Sequence, residues 1–330
     1  METLLDFELQ QPATLEQALA ALRSAGPGGR CLAGGTDLLP NLRRGLEAPV
    51  VLVSLAHVAG LDGLEVRPTG LELGAGLTLA RLAAAPALLA HPAWRAIAQA
   101  AASVAGPAHR TAATLGGNLC QDTRCVYYNQ SAWWREANDH CLKRAGTVCH
   151  VAPQGRRCNA VFCSDLAAPL IALDAELELC LDGRSRRLPL HRFYRDDGAA
   201  HLDLEPGELL TKVHVPAADG ARAGYLKGRA RASMDFALAG VALRLGVEGS
   251  RVVALGVGLT GLGSSAQRLA DTEALLGRPL DDAWLDELAR LVQHQVSPAR
   301  STVTPAHHRR SLAMALARRL ALGLRADVAA

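Results

Sequence analysis

Two glycine pairs, Gly34-Gly35 and Gly116-Gly117, constrain this chain most. Each breaks an apolar run at a point where the backbone must turn sharply or come close to another group. A short strand is expected over Arg30–Ala33 and a helix over Leu38–Arg44. The turn between them, Leu32, Ala33, Gly34, Gly35, Thr36, Asp37 and Leu38, suits an anion, because the first amides of a helix point at whatever sits before it. Thr36 or Asp37 can cap that helix. The motif is neither GxGxxG nor the Walker sequence, and an ordinary tight turn is the plain alternative.

The second pair lies in Thr111–Leu119 and is expected to prevent a regular helix there. A bend in a strand is the plain alternative. Two such turns in one domain favour a ligand with a pyrophosphate and two aromatic systems, such as FAD, each turn gripping one half. Thr114, Gly117 and Asn118 are the candidate contacts, Asn118 offering both a donor and an acceptor.

The 330 residues allow two or three domains, and half the chain is hydrophobic, enough for sizeable cores. Thr14–Ala25 reads as a helix with Thr14 and Gln17 placed as a capping box. Further helices are expected over 79–84, 93–105, 265–276, 281–295 and 305–325. Strands are expected over 50–54, 71–76, 175–181, 237–247 and 251–260. Residues 216–224 read as a linker. The expected division is a domain of residues 1–217, with subdomains of about 1–55 and 56–217 and an insertion of about 122–162, followed by an α+β domain of 218–330.

Seven of the eight cysteines fall between Cys120 and Cys180. Cys125, Cys141, Cys149 and Cys158 lie in the polar, aromatic insertion, with gaps of fifteen, seven and eight residues. Four thiolates can hold a [4Fe–4S] cluster or a zinc ion. Structural zinc sites favour close Cys-x₂₋₄-Cys knuckles, which this spacing lacks, so a wrapped cluster fits better. His140 and His150 flank Cys141 and Cys149 and could substitute as ligands, although a place beside the site or facing solvent fits them better. Cys31, Cys120, Cys163 and Cys180 belong to apolar elements and read as core.

The net charge of +3 is interspersed, with no basic block of the kind that tracks nucleic acid. Met1–Glu8 lacks the layout of an export signal, and no apolar run reaches membrane-spanning length. A cytoplasmic chain is expected, with neither nucleic-acid nor membrane partners.

Ala33-Gly34-Gly35-Thr36-Asp37-Leu38, Thr114-Leu115-Gly116-Gly117-Asn118-Leu119 and Ser164-Asp165-Leu166 resemble, in order, the FAD-binding subunits of the molybdenum hydroxylase (xanthine oxidase) family. Tyr225-Leu226-Lys227-Gly228-Arg229 resembles the start of that family's C-terminal flavoprotein domain. The resemblance implies an α+β chain: a two-subdomain FAD fold of the vanillyl-alcohol-oxidase (PCMH) type, then an α+β domain like that of CO dehydrogenase flavoproteins. It implies that the first turn holds the pyrophosphate, that the second turn with Ser164 and Asp165 lines the rest of the flavin, and that Lys227 approaches the isoalloxazine.

In that family the second turn is usually followed closely by the Ser-Asp pair; here the insertion separates them. Its cysteine spacing, with Gln121-Asp122-Thr123-Arg124, Asn129-Gln130-Ser131 and Trp133-Trp134-Arg135, is similar to the β subunits of 4-hydroxybenzoyl-CoA reductases. This resemblance implies a [4Fe–4S] cluster on the four cysteines and a large molybdenum-binding (molybdopterin) subunit with a small [2Fe–2S] subunit as partners, in an (αβγ)2 assembly. It also implies ferredoxin as electron donor, and reductive dehydroxylation to benzoyl-CoA on a partner subunit, in anaerobic aromatic degradation. No catalytic acid or base is expected on this chain. The alternatives are a flavoprotein of another molybdenum hydroxylase, a zinc-stabilised assembly module, and a free-standing flavoprotein oxidase.

Overall fold

A computed structural model describes residues 6–218, 220–232 and 234–329. The first five residues, part of the stretch read for an export signal, and Asp219, within the expected linker, lie outside the described residues.

The chain opens with β1 (Glu8–Gln10) and α1 (Leu15–Ala25), whose capping box forms as the sequence implies: Thr14 Oγ1 accepts from Gln17 N and the Gln17 side chain reaches back. Ala18, Leu19 and Leu22 form the buried face of α1. Then come β2 (Gly29–Leu32), α2 (Leu38–Arg43) and β3 (Val51–Ser54). The three strands form a parallel sheet in the order β1-β3-β2. The β2–α2 connection therefore leaves a strand's carboxyl end, where α/β sheets place ligands.

β4 (Leu64–Arg67) and β5 (Gly70–Gly74) form a hairpin, followed by α3 (Leu79–Ala84), α4 (Pro86–Ala90), α5 (Arg95–Ser103) and α6 (Pro107–Ala112). Pro107 begins α6, as proline at a first helical position allows. Next is α7 (Leu115–Leu119), which corrects the expectation of no helix here: one helical turn forms across Gly116-Gly117 because Thr114 caps it, its Oγ1 accepting from Gly117 N at 3.1 Å. The insertion contains α8 (Ala132–Ala137). After it come α9 (Ala167–Ala172), β6 (Glu176–Leu181), β7 (Arg184–Pro189), α10 (Leu190–Phe193) and β8 (Leu209–Pro216). The antiparallel sheet β4-β5-β8-β6-β7 is built from strands on both sides of the insertion.

The rest of the chain forms β9 (Ala221–Gly228), β10 (Ala239–Glu248), β11 (Arg251–Thr260), β12 (Gln267–Arg268), α11 (Asp282–Gln295) and α12 (Ala306–Ala329). The antiparallel sheet runs β12-β11-β10-β9. Two expectations are corrected here. The second part of the supposed linker, residues 221–224, opens strand β9, whose Ala221, Ala223 and Tyr225 are buried among the residues of the preceding core. The helix expected over 265–276 is a short strand and a 3₁₀ turn, because Gln267 and Leu269 join the edge of β11. The fold is mixed helix and sheet, as expected.

Candidate functional site

The two glycine turns lie against each other. A side chain on Gly34 would place its Cβ 1.9 Å from the Ala112 carbonyl oxygen, so only glycine lets the first turn approach the segment leading into the second. On Gly116 a Cβ would meet Ala75 Cβ at 2.9 Å, while Gly116 N donates to Ala75 O at 2.7 Å. Gly117 faces Ala33. Among the described residues, no backbone carbonyl accepts from the amides of Gly34, Gly35 or Thr36, which lie ahead of α2. Such a run of free donors between two closely packed backbones fits a pyrophosphate.

The Asp37 side chain does not cap α2, contrary to one of the two expectations; Asp37 occupies the cap position without a side-chain bond. Its Oδ2 instead accepts from Asp122 N at 2.9 Å, and its Oδ1 accepts from the Arg124 guanidinium. Both carboxylate oxygens are thus held by the start of the insertion.

Asn118 is buried, and its Oδ1 accepts from Ser164 Oγ at 2.8 Å and from Leu166 N at 3.3 Å. The acceptor that sequence assigned to a ligand is therefore engaged within the chain. Ser164 Oγ also accepts from Ala167 N at 3.2 Å, starting α9. The next residue, Asp165, accepts from Tyr225 Oη at 2.6 Å and from Lys227 Nζ at 2.8 Å. Lys227 Nζ also donates to the Ser103 carbonyl at 3.2 Å, at the end of α5. Burial pushes the Asp165 carboxyl up, against the opposing pull of Lys227 and Tyr225. Turn one, turn two, Ser164, Asp165 and Lys227 are therefore linked by successive direct contacts. Tyr225 was not singled out as a site residue from sequence, although its place two positions before Lys227 on a strand puts both on one face.

The four insertion cysteines are buried and line one small cavity of about 10 Å³, with Tyr127 and Tyr128. Backbone amides converge on the sulfurs: those of Tyr127 and Tyr128 on Cys125, of Val151, Ala152 and Asn159 on Cys149, and of Ala160 on Cys158 at 3.4 Å. The Asn159 side chain also donates to Cys149 Sγ at 3.7 Å. N–H···S bonds of this kind stabilise thiolates and tune iron–sulfur centres. Burial pushes the Cys125 thiol up and Cys158 to about 11, whereas for Cys149 the amide bonds outweigh burial and lower it. Among the described residues, no three His, Cys, Asp or Glu side chains converge tightly enough for one metal ion. Four thiols on one pocket are a donor set that both zinc and iron–sulfur clusters use. His150 bonds the His140 carbonyl rather than the cavity's sulfurs.

The insertion is held at its root. Arg124 pairs with Val161 in both directions at 2.7 Å, bringing Cys125 and Cys158 near one another. Lys143 bonds Asp122 and Thr123. Arg135, almost fully buried, donates to the Arg44 and Gly45 carbonyls just beyond α2. Sequence reasoning missed Asp122, Arg124 and Lys143 as site residues; for Arg124 the available signal was its place next to Cys125. Among the described residues no helix is long and apolar enough to cross a membrane.

Residues 5–218 match the FAD binding domain in molybdopterin dehydrogenase, and residues 225–324 match the CO dehydrogenase flavoprotein C-terminal domain. The chain is 35% identical over 254 residues to the aldehyde oxidoreductase FAD-binding subunit PaoB of Escherichia coli K12, covering 73% of this chain and 77% of that one. It is 26% identical to the carbon monoxide dehydrogenase medium chain of Afipia carboxidovorans, over 95% and 94% of the two chains. It superposes on a solved structure of reconstituted CO dehydrogenase from Oligotropha carboxidovorans with a TM-score of 0.80 and 26% identity, over 97% and 98% of the chains. The chain belongs to the FAD-binding subunits of the molybdenum hydroxylase family.

Proposed function

We propose that this chain carries a [4Fe–4S] cluster beside its FAD and serves as the electron-transfer subunit of a 4-hydroxybenzoyl-CoA reductase. The observation that carries this reading is the meeting of Cys125, Cys141, Cys149 and Cys158 around one cavity, on an insertion whose root bonds the first glycine turn. The flavin, when bound, exchanges electrons singly or in pairs, and the cluster singly.

The chain's own residues have distinct tasks in this reading. The amides of Gly34, Gly35 and Thr36 hold the pyrophosphate, with Leu32, Ala33, Asp37 and Leu38 shaping the turn. Thr114, Gly117 and Asn118 hold the rest of the flavin, and Ser164 and Asp165 support that wall. Lys227, fixed by Asp165, brings positive charge toward the ring. The four cysteines ligate the cluster, and the converging amides stabilise their thiolates. The corresponding division is residues 1–217 for FAD and cluster, and 218–330 for the flavoprotein C-terminal domain.

A large molybdenum-binding subunit and a small [2Fe–2S] subunit complete the enzyme, with ferredoxin as donor and the aryl-CoA bound on the large subunit. The test is ferredoxin-driven conversion of 4-hydroxybenzoyl-CoA to benzoyl-CoA by the purified complex. Cys125→Ser should abolish iron on this chain and slow that turnover; unchanged turnover without the cluster would remove its role in electron entry. Oxidation of an aldehyde or N-heterocycle, with no reductase activity, would assign the chain to another molybdenum hydroxylase.

A further inference from the structure

The first glycine turn contains a contradiction that the insertion resolves. A turn suited to a pyrophosphate carries a carboxylate, Asp37, at the start of its helix, and a free carboxylate there would repel the phosphates. Asp37 is not free. Its Oδ1 is bonded by the Arg124 guanidinium and its Oδ2 by the Asp122 amide. Arg124 belongs to the insertion and is the residue immediately before Cys125.

The Arg124 guanidinium also reaches Asn41 Oδ1 at 3.4 Å and lies over the Phe236 ring at 5.1 Å, and its segment is anchored within the insertion. Its backbone pairs with Val161, three residues after Cys158. Asp122 is bonded by Lys143, which lies between Cys141 and Cys149, and Lys143 also stands over the Tyr128 ring at 4.4 Å. Asp37, Asp122, Arg124 and Lys143 form a balanced quartet of two carboxylates and two cations. Apart from Asp37, every member comes from the insertion. The insertion has little buried apolar material of its own: its core cluster of buried residues is Cys125, Tyr128, Cys141, Cys158 and Ala160, completed by Leu46 from beyond α2. Three of those six are the proposed ligands, so a bound centre supplies much of what keeps this segment folded.

We infer that Arg124 is a positioning residue that couples the two cofactor sites: it neutralises Asp37 in the pyrophosphate turn, and it is held there when the four cysteines are ligated. FAD therefore binds more tightly to cluster-loaded chain than to cluster-free chain, and FAD in turn slows loss of the cluster, because such coupling is reciprocal. This inference rests on the proposed presence of FAD and of a cluster in the chain.

The test measures FAD affinity, not turnover. Flavin-free full-length chain, cluster-loaded or stripped anaerobically with a chelator, is titrated with FAD and followed by flavin fluorescence. Stripping should raise the Kd of the unmodified chain at least about fivefold, the lower end of ordinary coupling between sites. In Asp37→Asn the repelling charge is gone, so FAD should bind in both states and stripping should no longer change the Kd. Arg124→Gln should bind FAD weakly whether loaded or stripped, and Arg124→Lys should recover much of the loss by restoring the charge. An equal effect of stripping in Asp37→Asn and the unmodified chain would overturn the inference, as would an unchanged Kd on stripping the unmodified chain. Absence of iron and sulfide from the loaded preparation would be seen before any titration, and would overturn the cluster reading and this coupling together.

Discussion

Lys227 Nζ donates to Asp165 Oδ2 at 2.8 Å, with both side chains 5% exposed, across 62 residues of sequence. The pair joins the segment after the insertion to strand β9, and Tyr225 on the same face of that strand completes it. Lys227→Met leaves a buried carboxylate without its cation, and such a loss typically costs about 3–5 kcal/mol. Tyr225→Phe removes one bond to a charged group and is expected to cost about 1.5–3 kcal/mol. Urea unfolding of each variant checks the order. Asp165→Asn added to Lys227→Met should recover part of the loss, since no unpaired charge then remains.

Gly34→Ala drives a methyl group into the Ala112 carbonyl, and neither backbone segment can yield without moving a glycine turn. Overpacking of this kind costs about 1–3 kcal/mol, and here it also displaces the amides ahead of α2. The expected outcome is a lower Tm and loss of bound flavin. Gly63→Ala, where no atom lies within 4 Å of the added Cβ, is the control and should keep both. Equal flavin content in the two variants would separate the turn from the flavin.

Local structure was legible wherever a cap, a strong period or a proline signalled it. The Thr14 capping box, the Asp282–Gln295 helix and the Arg251–Thr260 strand lie where the pattern puts them. The failures have physical causes. Residues 216–224 look like a linker because their alanines and glycines carry little pattern, yet small residues are what let β9 lie under α12, with Gly224 against Leu320 and Gly228 against Leu312. The Leu115–Leu119 turn forms against glycine's low helix propensity because tertiary hydrogen bonds to Ala75 and Leu77 and the Thr114 cap outweigh it. In the site, the cysteines and glycine turns could be named from sequence by their chemistry. Their linkage through Arg124 and Asp37 could not, because it joins residues 87 apart and no local signal encodes a pairing at that distance.

Serine at Cys141 or Cys149 should remove iron from the chain, since a hydroxyl is a poor substitute for a thiolate ligand. Serine at Cys163 should not. That thiol is buried but does not line the pocket that the four insertion cysteines share. Iron content of the variants checks the contrast, and loss of iron from Cys163→Ser would revise the ligand set.

The carboxyl of Asp203 is held below its ordinary value by Arg195 first and then Arg186. Glu208, raised by burial, is nevertheless brought below its ordinary value by Arg186. Folded-state values below the unfolded ones mean that this stabilisation is present above the usual carboxylate range of about pH 4 and is lost as pH falls through the folded values. Unfolding curves from pH 6 downward should show that decline, and Arg186→Gln should flatten it. A decline of unchanged slope in the variant would place the acid sensitivity elsewhere.

The central claim is that FAD and an iron–sulfur cluster share this chain, and elemental analysis tests it most directly. The chain is purified anaerobically, and iron, acid-labile sulfide, zinc and flavin are measured per polypeptide. The account predicts about four iron and about four sulfide per chain, the content of one [4Fe–4S] cluster, with about one FAD and no stoichiometric zinc. FAD without iron would contradict the cluster and leave Cys125, Cys141, Cys149 and Cys158 as structural thiols in an ordinary hydroxylase flavoprotein; zinc without iron would make the insertion a zinc-stabilised module instead.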